Sequence, residues 1–91
     1  MTDLILDECI YSKKLASALK VAIAGIRVRY LGDGVSDNYI RSIVNTSDNS
    51  LIVTADRQLG VTLGSKALYL ESKWKLKETV RIIKIWACDL L

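Results

Sequence analysis

Two short runs constrain this chain more than anything else in it. LIL at residues 4–6 and LIV at residues 51–53 carry no polar side chain, and each meets an aspartate within three residues of its end, Asp7 and Asp56. A strand apolar on both faces must be covered on both faces, which is the situation of a central strand in a parallel sheet with helices above and below. A third segment, IRVRYL at 26–31, alternates Ile26, Val28 and Tyr30 against Arg27 and Arg29, the period-two signature of a strand with one wet face, and so belongs at a sheet edge. KALYLES at 66–72 reads as a fourth strand.

Between these runs lie helical patterns. Leu15, Leu19, Ala22 and Ile23 fall on one helical face after Ser12, which is placed to cap the start, with Gly25 to end it. Ser36 caps a second helix beginning at Asp37, which buries Ile40, Ile43 and Val44. A last helix from about Lys73 carries Leu76, Val80, Ile83 and Ala87 in one stripe, widened by Ile82, Ile85 and Trp86. RQLGVTLGS at 57–65 is broken by two glycines and receives no assignment. The order strand, helix, strand, helix, strand, strand, helix predicts one α/β domain over residues 1–91. Its layers are three, around a mainly parallel four-stranded sheet of order 2-1-3-4, with right-handed crossovers.

That order places a site. Strands 1 and 3 are adjacent and the chain reverses direction between them, so ligands are expected beyond their carboxyl ends. Asp7 and Glu8 follow strand 1, Asp56 follows strand 3, and Asp37 opens the helix after strand 2 from the same edge. Crowded carboxylates repel one another unless a cation sits among them. The chain has no histidine, which excludes serine–histidine and cysteine–histidine catalysis and leaves oxygen ligands, suited to Mg2+ or Mn2+. If those four acids form one cluster, the six others stand against 13 lysines and arginines, and the rest of the surface nets +7. Such a field favours a phosphodiester backbone, and Lys13, Lys14 and Arg57 are the basic residues nearest the acids in sequence. Each acid also has a plainer reading as a helix cap or strand terminus; it is the joint placement on one edge that favours the metal site.

The same residues carry a family likeness. LDEC at 6–9, LASAL at 15–19, SDNYI at 36–40 and TADRQL at 54–59 resemble, in order and spacing, the motifs of the small PIN-like proteins, relatives of PIN-domain ribonucleases that include toxins of toxin–antitoxin pairs. The resemblance spans about residues 4–70. It implies a PIN-like three-layer fold and metal-dependent endonucleolytic cleavage of RNA. Asp7, Asp37 and Asp56 would be the catalytic, metal-binding acids, Glu8 an accessory metal ligand and Thr54 a supporting hydroxyl; Ser36, read above as the helix cap before Asp37, supports from the same motif. It also implies a possible antitoxin protein as partner. Three positions depart from the pattern: Cys9 replaces an asparagine, Leu59 a phenylalanine, and Gln58 the second acid of the last motif. Gln58 keeps a second reading open, a catalytically degenerate PIN-like module that binds or regulates.

The remaining features bear on context. No apolar run reaches the roughly 18 residues needed to span a bilayer, and MTDLILDE lacks the basic start of a signal peptide, so a cytoplasmic protein is expected. Cys9 and Cys88 are expected as buried free thiols. The breadth of the last helix's apolar surface predicts a homodimer. KWKLK at 73–77 reads as a solvated basic face with Trp74 packed at the helix start, and Tyr11 and Tyr39 read as packing residues.

Overall fold

The two apolar runs lie side by side. A computed structural model, which describes residues 2–32, 34–71 and 75–90, sets β1 (Thr2–Leu6) against β3 (Ser50–Thr54) at the centre of a four-stranded sheet. Outside β1 runs β2 (Ile26–Arg29), and outside β3 runs β4 (Ala67–Tyr69). Every pairing is parallel, with Leu4 opposite Leu51 and Ile5 opposite Ile52 in the central pair. The expected order, 2-1-3-4, is the one observed.

Helices cover both faces, and strand alternation decides which residue meets which helix. Leu4, Leu6, Leu51 and Val53 point to one side, where they pack with Leu15 and Leu19 of α1 (Lys13–Ala22) and Ile83 and Ala87 of α4 (Leu76–Leu90). Ile5 and Ile52 point to the other. There they meet Ile40 and Val44 of α2 (Asp37–Thr46), and Leu59 and Leu63 of α3 (Arg57–Leu63). Ser12 and Ser36 cap α1 and α2 by accepting from the amides of Leu15 and Tyr39 at 3.1 and 3.2 Å. Residue 73, where a start for the last helix was expected, and Trp74 lie outside the described residues; within them the helix begins at Leu76.

α3 was not legible as a helix, because Gly60, Val61 and Thr62 are all poor helix formers. Tertiary context makes it. Leu59 and Leu63, four residues apart, are buried together, and Asp56 caps the first turn by accepting from Gln58 and Leu59. Gly60 is a spacer: a Cβ there would stand 3.4 Å from Cβ of Tyr69 and 3.9 Å from Cγ2 of Thr54, so the helix lies close on the sheet. This crossover makes β4 parallel to β3.

The wet face of β2 is paired. Arg27 makes a bidentate contact to Asp3 of β1, 2.8 Å to each carboxylate oxygen, and Arg29 adds a third donor at 3.2 Å. The Arg27 hydrogen bonds hold the Asp3 carboxyl below its usual pKa of 3.8 against the opposing effect of desolvation, with help from Arg29. A depressed carboxylate pKa stabilises the fold above the unfolded-state value, and that stabilisation is lost as pH falls through the folded value. Asp3→Asn should therefore lower the melting temperature at pH 7. The gap to the parent protein should close progressively on acidification below about pH 4, as a thermal-denaturation series across pH would read.

The thiols are placed differently from expectation. Cys9 and Cys88 are both free and both exposed, the first in the turn after β1 and the second near the end of α4. Neither is on the buried stripe of a regular element, so burial by default does not apply to them. On α4, Leu76, Ile85 and Leu90 are also exposed. Among the described residues no helix is long and apolar enough to cross a membrane.

Candidate functional site

The site is built where β1 and β3 end. The amide of Asp7 donates to the carbonyl of Val53 at 3.0 Å, extending the central ladder by one rung and fixing Asp7 beside β3. Its own carbonyl accepts from Ile10 and Tyr11, which closes a tight turn into α1. Alternation continues through residue 7, so the Asp7 side chain leaves on the Ile5 side of the sheet, the side that Thr54 also faces.

Thr54 is fully buried, and its hydroxyl does two things at once. It donates to Oδ2 of Asp7 at 2.7 Å and accepts from the amide of Asp56 at 3.0 Å. Asp7 Oδ1 accepts from the amide of Glu8 at 2.9 Å. One hydroxyl thus joins the carboxylate after β1 to the backbone of the acid after β3. Asp56 Oδ1 caps α3, accepting from Gln58 and Leu59 at 2.9 and 3.2 Å, while Oδ2 takes no hydrogen bond from the described residues.

Glu8 does not turn toward Asp7. Its Oε2 accepts from the amide of Gly34 at 3.0 Å, pinning the loop that follows β2 to the turn that follows β1. Asp37 is exposed at the first turn of α2 and takes no hydrogen bond from the described residues. Lys13 and Lys14 open α1, and Arg57 opens α3, all three exposed. The guanidinium of Arg57 stands 5.6 Å from the ring centroid of Tyr69.

The donor set suits Mg2+ or Mn2+ in kind, since it is all oxygen, partly exposed, and includes a carboxylate oriented by a buried hydroxyl. It is not a finished cage. Among the described residues no group of three or more acidic or cysteine side chains is arranged to hold a metal ion. Asp7 and Asp56 are joined through Thr54; Asp37 and Glu8 sit on the same edge but are turned to other tasks or to solvent.

Two features at this edge had no signal in the sequence. Tyr11 and Tyr30 stack with ring centroids 4.1 Å apart and planes within 5°. A cavity of about 170 Å³ lies between the starts of α1 and α4, lined by Cys9, Ser12, Leu15, Leu70 and Thr79 among others. Both join residues distant in the chain, which composition and periodicity do not pair. Set against known protein families, curated proteins and solved structures, the chain matches none of them.

Proposed function

We propose that the protein is a Mg2+- or Mn2+-dependent endoribonuclease of the PIN-like kind, acting in the cytoplasm, of the type found as toxins in toxin–antitoxin pairs. The observation that carries this reading is the Thr54 hydroxyl, which joins Asp7 to Asp56 at the switch point of a 2-1-3-4 sheet. A buried hydroxyl spent on orienting an acid at a strand end is the support a ligand carboxylate needs.

Asp7 and Asp56 would hold the cation; to complete its shell Asp37 would turn in from solvent, and Glu8 would give up the Gly34 amide. A bound divalent ion supplies a more acidic water and neutralises phosphate charge. The chain's own contributions are distinct. Thr54 fixes the rotamer of Asp7, Asp56 presents Oδ2 while Oδ1 is held by α3, and Lys13, Lys14 and Arg57 take the backbone phosphates on either side. Ile85 and Leu90 on α4, with the half-buried Ile82 and Trp86 between them around the helix, are the apolar residues on which a second copy of the chain, or an antitoxin protein, would dock.

A specific observation favours a second reading, a binding or regulatory module without catalysis. Gln58 stands where an acid is needed by the pattern, and among the described residues no three-acid group is preformed.

Manganese titration read by thermal unfolding separates the two. Mn2+ bound by the folded acids stabilises the fold by roughly 2.7 kcal/mol when free ion is a hundredfold above its dissociation constant, and so raises the melting temperature. The shift should vanish in Asp7→Asn and in Asp56→Asn. Labelled single-stranded RNA should be cut by the parent protein with Mn2+ and left intact by Asp7→Asn. A parent protein that binds RNA with no metal-dependent shift and no cleavage establishes the second reading.

A further inference from the structure

Along the carboxyl edge of the sheet the order of side chains is Tyr30, Asp7, Thr54 with Asp56, then Tyr69, because Tyr30 follows the outer strand β2 and Tyr69 ends the outer strand β4. Both tyrosines are 36% exposed. Exposed aromatics scattered singly are ordinary. These two are not scattered: they bracket the acids, and each ring is held by a neighbour.

Tyr30 is stacked on Tyr11, itself half-buried against the α1–α4 core cluster, so the orientation of Tyr30 is fixed before any ligand arrives. Tyr69 has its Cβ against Gly60 of α3 and the Arg57 guanidinium over its ring. The two rings therefore belong to opposite faces of the sheet, one on the α1 side and one on the α3 side. A strand running from one to the other must cross the edge where Asp7 and Asp56 stand.

The span is right for a polynucleotide. Three strand spacings put the backbones of the two tyrosines about 14 Å apart, and rings standing off opposite faces lie further apart than that, so the path spans at least about four nucleotides at a stacked rise of about 3.4 Å. Each end of the path has basic residues close by: Arg57 at the start of α3 stands over the Tyr69 ring, and Lys13 and Lys14 at the start of α1 follow Tyr11 by two and three residues in the chain. Preset rings beside phosphate-binding charges are how unpaired bases are gripped without regard to sequence, whereas a duplex keeps its base faces buried in its own stack.

We infer that Tyr30 and Tyr69 are stacking platforms that seat single-stranded RNA across the carboxylates, one base on each side of the phosphodiester to be acted upon. The inference rests on the proposed action on RNA and names what selects unpaired substrate. It makes the two tyrosines positioning residues, since they touch bases and not the reacting atoms.

The test is fluorescence anisotropy with a labelled ten-nucleotide oligouridylate in EDTA, so that no metal and no cleavage enter the measurement. The probe is compared with an abasic oligomer of the same length and charge, and with a duplex. The parent protein should bind oligouridylate about tenfold more tightly than either comparison. Tyr30→Leu and Tyr69→Leu, which keep apolar bulk and lose the π face, should each weaken oligouridylate binding about tenfold and leave abasic binding unchanged. Tyr30→Phe and Tyr69→Phe should bind as the parent does.

Equal affinity of the parent protein for the abasic oligomer or the duplex overturns the inference without need of any variant. Leucine variants that bind oligouridylate as the parent does overturn it as well. Cleavage is read separately with Mn2+. Tyrosine-dependent binding without cleavage defeats the nuclease reading and leaves the platforms standing, while cleavage with unaltered binding by the leucine variants does the reverse.

Discussion

On the proposed nuclease reading, Thr54→Val should cost RNA cleavage and Mn2+ affinity about 10- to 100-fold, the range found when a group that orients a metal ligand is removed. Valine matches threonine in shape, so no cavity opens between Gly60 and the sheet. The hydroxyl is lost from both of its partners together. Asp7 Oδ2 loses its donor and the carboxylate is free to rotate. The Asp56 amide loses its acceptor at a site where Thr54 is fully buried. An unsatisfied buried donor costs about 1–3 kcal/mol, so the variant should also melt earlier. Steady-state cleavage assays read the first effect and thermal denaturation the second. Thr54→Ser retains the hydroxyl and should keep most of the activity, which separates loss of the hydrogen bond from loss of packing. A valine variant that cleaves as the parent does would mean that Asp7 needs no orientation, and the site would have to be sought elsewhere.

Ile52→Ala should be the most destabilising single change of its size, by about 3–4 kcal/mol. Ile52 is wholly buried in the inner strand β3, and the cluster it joins on the α2–α3 side is the smaller of the two. Among the described residues six buried side chains compose that cluster, of which Ile5 and Ile52 come from the sheet. Removing one leaves α2 and α3 facing a void that neither short helix, capped and tied as they are, can move inward to fill. A domain of this length has roughly 5–14 kcal/mol of stability in all, so the loss is a large fraction of it. Urea denaturation should show a lower midpoint with an unchanged slope. The corresponding change on the other face, Ile83→Ala, should cost less if α4 settles inward against its more numerous neighbours.

The elements that could be read in advance are those whose signal is local. LIL and LIV need no partner to declare that they are covered on two sides, and from that the central position of β1 and β3 follows, and with it the sheet order. Ser12 and Ser36 declare their helices because a cap acts within three residues. What could not be read depends on contacts across the chain. α3 has a sequence poor in helix formers and exists because Leu59 and Leu63 find Ile5 and Ile52, and because Asp56 turns back on the first turn. Cys9 and Cys88 were expected inside on the general habit of thiols, but each falls at a place set by a turn or a helix end.

The candidate site divides in the same way. Asp7 and Asp56 could be assigned to one edge by counting strands, and the Thr54 hydroxyl does stand between them. The task of Glu8 was not visible, since its partner is the amide of Gly34, 26 residues away, and a backbone amide has no sequence signature. Nor was the salt link of Asp3 with Arg27 and Arg29, where an alternating pattern showed wet positions without showing that a neighbouring strand supplies the counter-charge.

The strand order has a consequence for how the chain reaches its native state. The first strand is flanked by two others that are made later, and its partner β3 lies nearly fifty residues downstream. No hairpin is available to start the sheet, and each pairing has to close a loop that includes a helix, so the entropy of loop closure is incurred before most of the reward arrives. Refolding should accordingly be slow for a domain of this size. During synthesis on the ribosome β1 has only the edge strand β2 to pair with until the middle of the chain has emerged.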